Sequence, residues 1–252
     1  KRKNNTKKFI FPLKCPCGYE TIKEYNKVTK KLDAVRRCPD RGFECERMAK
    51  EKLKHFVSKE AFNIDGLGKK IVENFWELNL IKLPQDIFKI NYEKIKKLDG
   101  WGKLSVENLK YSINEKKKIS LDRFIYSLGI RHIGLENAKL LSRHFGSFSK
   151  FKALSENNNY NELLNIDGIG ETQVVSVKNF FSKNINRSIL NELEKILSIQ
   201  DSKNSNKNGL LKNKSFLVTG KLNNISRAEI KSLIEENSGT TLSTVSKKLN
   251  YL

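Results

Sequence analysis

The sequence predicts a mainly α fold in three parts, on the strength of three observations. All four cysteines lie close together near the start, a glycine-cornered pattern recurs four times through the middle, and the hydrophobic period changes from helical to strand-like near the end. The expected boundaries are 1–14, an apolar-ending lead-in; 15–50, a small four-cysteine zinc module; 51–200, a helical domain; 201–209, a linker; and 210–252, the opening of an α/β domain. A chain of 252 residues suits two or three such units.

The lead-in is basic, then apolar at Phe9-Ile10-Phe11-Pro12-Leu13, and reads as the exit from a preceding domain. Cys15, Cys17, Cys38 and Cys45 follow as two pairs separated by a 20-residue loop. Two thiolates from each pair meet the demand of a tetrahedral Zn²⁺ site, and four thiolates leave no open position, so the metal would be structural. Arg36 and Arg37 beside Cys38 are expected to lower its thiol pKa. The C-x-C spacing of the first pair and six residues within the second leave a half-occupied site and disulfides as alternatives.

From Glu46 to about residue 200 apolar residues recur at helical intervals. Ile71, Val72, Phe75, Trp76 and Leu78 form one such set; Leu135, Ala138, Leu141 and Phe145 form another. Ser188 to Ile199 reads as a further amphipathic helix. Four turns punctuate this stretch: Ile64-Asp65-Gly66-Leu67-Gly68, Leu98-Asp99-Gly100-Trp101-Gly102, Ile130-Arg131-His132-Ile133-Gly134 and Ile166-Asp167-Gly168-Ile169-Gly170. Their last glycines are 34, 32 and 36 residues apart, room for a helix, a turn and a second helix each time. Glycine permits positive φ and close backbone approach. The N-terminus of the following helix offers N–H groups and a positive dipole end to phosphate oxygens.

The candidate DNA-backbone contacts are therefore Gly66, Gly68, Lys69, Lys70, Gly100, Gly102, Lys103, Arg131, Gly134, Gly168 and Gly170. Lys69, Lys70 and Lys103 oppose the helix dipole, a conflict that an anionic ligand relieves. Glu171 takes the equivalent place after the fourth turn, which is expected to be the weakest phosphate contact. Lys97-Leu98-Asp99-Gly100 matches the nucleotide-accepting Lys-x-Asp-Gly pattern, but its Asp-Gly belongs to the second turn and no catalytic lysine is assigned. His55, His132 and His144 are scattered and compose no catalytic set.

Asp201 to Gly209 holds no hydrophobic residue and reads as a flexible linker. Ser215 to Thr219 is β-rich, Ser226 to Asn237 helical with Ser226 and Glu229 as a capping box, and Thr240 to Ser246 β-rich again.

The net charge of +21 favours a polyanionic partner, nucleic acid ahead of membrane, although a lysine-rich composition alone gives a similar balance. No apolar run approaches the 18 or so residues of a membrane span, and Lys1-Arg2-Lys3 precedes no hydrophobic stretch, so neither a membrane partner nor a secretory signal is expected. Free thiols in such a chain suit a reducing compartment.

A cluster of four cysteines, four helix–hairpin–helix units, a linker and a strand-Gly-helix unit, in that order, resemble the C-terminal half of bacterial NAD⁺-dependent DNA ligases. Ala61 to Gly68 looks like that family's first hairpin, and Leu128 to Gly134 with His144-Phe145-Gly146 like its third. Phe216 to Gly220, Ser226-Arg227 and Val245 to Leu252 look like the opening of its BRCT domain. The resemblance implies a nick-sealing enzyme whose adenylation domain, NAD⁺-recognition segment and most of an oligonucleotide-binding barrel lie before Lys1. NAD⁺ and Mg²⁺ would enter only through those parts. This stretch alone would not ligate, would carry structural Zn²⁺, and would grip nicked duplex DNA as a monomer in the bacterial cytoplasm, at the nucleoid. The alternative is a non-catalytic helix–hairpin–helix subunit of a repair complex; a third reading, favoured by charge alone, is an RNA-binding protein.

Overall fold

The computed structural model describes residues 10–26, 30–39, 42–202, 209–220, 225, 227–242, 245 and 249–252. Most of the expected lead-in, the middle of the linker, the Ser226 cap and residues 246–248 therefore lie outside the described residues. Two units divide the chain, Lys1–Lys52 and Leu53–Leu252.

The first unit has little regular structure. β1 (Tyr25–Asn26) pairs antiparallel with β2 (Lys31–Leu32), and single bridges join Lys14 to Glu20 and Ile22 to Arg37. Gly18 adopts φ +88, so the chain can reverse immediately after the Cys-Pro-Cys segment. Its N–H donates to the Cys15 carbonyl and the Cys15 N–H to the Tyr19 carbonyl, both at 2.8 Å. A 3₁₀ turn at Gly42–Glu44 then leads into α1 (Glu46–Phe56), which begins at the expected Glu46.

The second unit is helical. After α1 come α2 (Lys69–Glu77), a 3₁₀ segment at Pro84–Lys89, α3 (Tyr92–Ile95), α4 (Lys103–Glu115), β3 (Lys118–Ser120), α5 (Leu121–Ser127), α6 (Leu135–Phe145) and α7 (Phe148–Asn157). A second 3₁₀ segment, Tyr160–Asn165, precedes α8 (Glu171–Phe181), α9 (Asn184–Ile196) and β4 (Ser198–Gln200). Local chemistry sets several starts. Asn91 caps α3 by accepting from the Lys94 N–H, and Ser147 caps α7 by accepting from the Lys150 N–H. The Asp86 carboxylate accepts from the N–H groups of Lys82 and Leu83 at 2.9 and 2.8 Å and fixes the entry to the first 3₁₀ segment.

The apolar positions read from the sequence are mostly buried. Val72, Phe75 and Trp76 of α2 and Ala138, Leu141 and Phe145 of α6 face the interior. Leu78 does not: it is the C-cap residue of α2 and lies 44% exposed, beyond the last position that the helix can turn inward. Phe56 stacks on Phe62 at 4.3 Å, with Phe88 edge-on to Phe62 at 5.4 Å. Phe151 lies edge-on to both Phe145 and Phe181, at 5.6 and 5.3 Å. Each such buried ring contributes about 1.5–3 kcal/mol relative to an exposed one.

Two elements differ from the sequence expectation. The helix expected at Ser188–Ile199 starts earlier, at Asn184, and ends at Ile196. Ile199 instead belongs to β4, which pairs in parallel with β3 in the register Lys118 to Ser198, Ile119 to Ile199 and Ser120 to Gln200. This pairing joins segments 80 residues apart and ties the end of α9 back to the middle of the unit.

The α/β segment is present in outline. β5 (Ser215–Phe216) runs parallel to β6 (Thr240–Thr241), with α10 (Arg227–Glu236) as the crossover. The strands are shorter than the β-rich runs Ser215–Thr219 and Thr240–Ser246. Phe216 also forms a parallel bridge with Tyr251, whose ring stacks on it at 4.9 Å. Asn250 accepts from both the N–H and the hydroxyl of Ser215. α10 buries Ile234 beneath this small sheet, where Gly239 leaves room for its methyl group. Among the described residues no helix is long and apolar enough to cross a membrane.

Candidate nucleic-acid interface and metal centre

The four glycine-cornered turns share one backbone geometry. In each, the N–H of the fourth residue donates to the carbonyl of the first: Leu67 to Ile64 at 3.3 Å, Trp101 to Leu98 at 3.1 Å, Ile133 to Ile130 at 3.1 Å and Ile169 to Ile166 at 3.0 Å. The third residue has positive φ, +86 at Gly66, +80 at Gly100 and +88 at Gly168. That is the demand of a tight turn for glycine at its third position. His132 takes the same conformation at φ +59, a cost that histidine tolerates better than branched side chains. It lies exposed at the turn, and the Asn137 amide holds its carbonyl at 3.0 Å.

The final glycine of each turn is the N-cap of the helix that follows: Gly68 of α2, Gly102 of α4, Gly134 of α6 and Gly170 of α8. The backbone there is extended, so the φ range of these positions does not itself demand glycine. A Cβ built on Gly68, Gly102 or Gly134 meets no atom within 4 Å, so the outer side of each corner is open. Every one of Gly66, Gly68, Gly100, Gly102, Gly134, Gly168 and Gly170 is exposed, while Leu67, Ile133 and Ile169 turn inward as anchors. Turns one to three follow an α-helix, the second a single-turn one; the fourth follows a 3₁₀ segment, so only its second arm is α-helical.

The electrostatics separate the turns. No side chain caps α2, α4 or α6, so their first-turn N–H groups are left for solvent or a ligand. α2 and α4 have no acidic residue in the first turn. Lys69, Lys70 and Lys103 are exposed there. Arg131 is exposed at the third turn. At the fourth, Glu171 occupies the first turn, and the Gln173 side chain accepts from the Gly170 N–H at 3.2 Å. This self-capping was not read from the sequence, although a Gln three residues after the N-cap is a recognisable signal. Lys97 lies exposed beside the second turn, with Asp99 and Gly100 forming its corner.

The four cysteines meet in the first unit. Their Sγ atoms all lie within 4.8 Å of one another, Cys15 to Cys45 at 3.7 Å and Cys17 to Cys38 at 3.5 Å. Tetrahedral thiolates about 2.3 Å from one zinc ion stand about 3.8 Å apart, so the two closest pairs match that spacing and the whole set is near enough to share one ion. These two contacts run between the sequence pairs rather than within them. The Tyr19 backbone N–H holds the Cys17 thiol down at about 7. The expected effect of the arginines on Cys38 is not found. Arg36 donates to the Thr21 hydroxyl and carbonyl, Arg37 pairs with Asp33 at 2.6 Å, and burial pushes the Cys38 and Cys45 thiols upward.

Comparisons with known proteins agree with this architecture. Residues 123–190 match the helix–hairpin–helix motif, covering the third and fourth turns, and residues 206–252 match the BRCA1 C Terminus (BRCT) domain. Over all of its length the chain is 66% identical to a DNA ligase of Pelagibacter ubique (strain HTCC1062) and 38% identical to one of Parvibaculum lavamentivorans, covering 37% of each. Over 98% of its length it is 39% identical to a DNA ligase of Rickettsia prowazekii, again covering 37% of that protein. The chain is a mainly helical sequence with helix–hairpin–helix and BRCT modules and a clustered set of four cysteines. It is the counterpart of a segment of the DNA ligases, and it spans a little over a third of the length of the curated relatives it matches.

Proposed function

We propose that this chain is the duplex-gripping, non-catalytic part of an NAD⁺-dependent DNA ligase, holding nicked DNA by its backbone while an adenylation domain elsewhere in the polypeptide seals the nick. The observation that carries it is the set of exposed glycine corners, three of which open uncapped helix N-termini toward solvent. Dipole, free amides and nearby lysines together suit phosphate oxygens. Contacts of this kind fix position and carry little base information, so binding is independent of sequence.

On this reading Gly66, Gly68, Lys69, Lys70, Gly100, Gly102 and Lys103 make the strongest contacts, Arg131 and Gly134 the next. Gly168 and Gly170 contribute least, because Gln173 already occupies the Gly170 amide. Cys15, Cys17, Cys38 and Cys45 would hold a structural Zn²⁺; when bound, the ion supplies cross-linking and no reaction chemistry. NAD⁺ and Mg²⁺ act elsewhere in the enzyme. The chain works as a monomer in the bacterial cytoplasm at the nucleoid, within replication and repair.

The test is fluorescence anisotropy with a nicked duplex across a salt series. Affinity should fall by roughly 0.9 log unit per log unit of salt for each phosphate neutralised. Replacing Gly68 or Gly102 by Val should weaken binding and leave the zinc content unchanged. Parent-like binding by both variants would refute the hairpin assignment, and tighter binding to duplex RNA than to duplex DNA would refute the choice of nucleic acid.

A further inference from the structure

Away from the hairpin corners, a second set of cations is already engaged by carboxylates of the chain itself. Glu229 on α10 meets Arg123 of α5 at 3.0 Å and Lys116, the C-cap residue of α4, at 3.6 Å. Six residues on, Glu235 meets Lys139 and Arg143 of α6 at 3.1 and 3.3 Å, and accepts from the Thr241 hydroxyl at 2.8 Å. Four cations thus face two carboxylates of α10, each carboxylate bridging two of them.

These cations are unusually placed. The Arg123 side chain is only 7% exposed, and its guanidinium also donates to the carbonyls of Lys59 and Ala61, just before the first hairpin. Its Nε is buried without a hydrogen-bond partner. Lys139 is 8% exposed and stands in the second turn of α6, the helix opened by the third hairpin; Glu136 of that helix meets it at 3.3 Å. The Lys59 and Ala61 carbonyls hold the Arg123 guanidinium in place independently of α10, so when α10 lifts away a fixed cation is left that favours another anion. Two bridging contacts per carboxylate, on a set with excess positive charge, are what a phosphate would also find.

We propose that Glu229 and Glu235 act as phosphate mimics: α10 covers a second DNA-backbone surface built from Lys116, Arg123, Lys139 and Arg143. The strand-helix-strand segment and duplex DNA then compete for that surface. This rests on the duplex-gripping reading above and extends it with an intramolecular competitor.

The experiment follows hydrogen exchange of α10 in the whole chain, with and without a saturating nicked duplex at low salt, alongside duplex affinity by anisotropy. The duplex should raise α10 exchange several-fold. The double variant Glu229→Gln/Glu235→Gln should show that raised exchange without DNA and bind duplex several-fold more tightly. If two further phosphates are taken up, its slope of log affinity against log salt steepens by roughly 2. Lys139→Gln/Arg143→Gln should free α10 as well but bind duplex no tighter than the parent. Circular dichroism should show that both variants keep their helices. Unchanged α10 exchange on adding duplex, or a glutamine variant that is freed yet binds with parental affinity and slope, would overturn the proposal. Gly102→Val is the internal control: if it still weakens binding, the hairpin reading survives that failure.

Discussion

The two units are held together by different physics. Among the described residues of Lys1–Lys52 few large apolar side chains are buried, and Ile10, Leu13, Tyr25, Leu32 and Val35 stand largely exposed. What converges there is four sulfur atoms. In Leu53–Leu252 many aromatic and aliphatic side chains are buried, with Phe56, Phe62, Phe75, Phe124, Phe151 and Phe181 all essentially inaccessible. A segment of some fifty residues buries too little surface to repay its chain entropy, and on the proposed reading a metal held by the four clustered cysteines would supply what the missing core does not. The larger unit has no such need. It can therefore leave glycine corners unburied at its surface.

The sharpest way to break that contrast is to remove the metal. Chelation, or Cys45→Ser, should release bound zinc and unfold the first unit, since structural zinc sites contribute about 10–16 kcal/mol of apparent binding free energy. The helical signal of the second unit should persist. Loss of both units together, seen as one circular dichroism transition, would show that they are not independent. Next in size, Phe124→Ala should destabilise the second unit by about 3–5 kcal/mol in denaturant titration and leave zinc content untouched.

Smaller effects sharpen the contrast within the second unit. Gly102→Val places a side chain where no atom lies within 4 Å and φ is −85, so folding should be nearly unaffected. Duplex affinity should nevertheless drop about tenfold, near 1.4 kcal/mol. The same change at Gly170, whose amide Gln173 already occupies, should cost little affinity. Equal losses at the two positions would erase the distinction between the second and fourth turns.

The smallest effect concerns Glu192 on α9. Lys195 first, and then Lys89, hold its carboxyl down at about 2, at 2.7 and 2.8 Å. A carboxyl lowered on folding stabilises above its unfolded range, and that contribution disappears as pH falls toward 2. Because the group is partly exposed, the effect is small and screened by salt. Glu192→Gln should lower the thermal midpoint slightly at pH 7, and the midpoints of parent and variant should converge in acid.

Much of this was legible because it is local. Glycine at the third position of a turn, a helix start three or four residues on and a hydrophobic period between turns are properties of neighbouring residues. Repetition made them stand out from ordinary helix connections. Histidine at the third turn hid the pattern only partly, since it adopts the same left-handed backbone. The self-capping of the fourth turn was also within reach, from Gln173 alone. The parallel pairing of Lys118–Ser120 with Ser198–Gln200 was not, because two three-residue strands carry no period and meet only after the helices between them have packed.

The amino-acid order thus determined the modules, their sequence along the chain and the corners of the hairpins, since backbone freedom and periodic burial are set within a few residues. Tertiary structure decided which sulfurs lie closest, where Arg36 and Arg37 spend their charge, and that Arg123 is buried facing Glu229 from a segment 106 residues later. Such pairings depend on how preformed elements pack. The energy of a charge or a thiol is fixed by what packing brings beside it and by how much water packing removes.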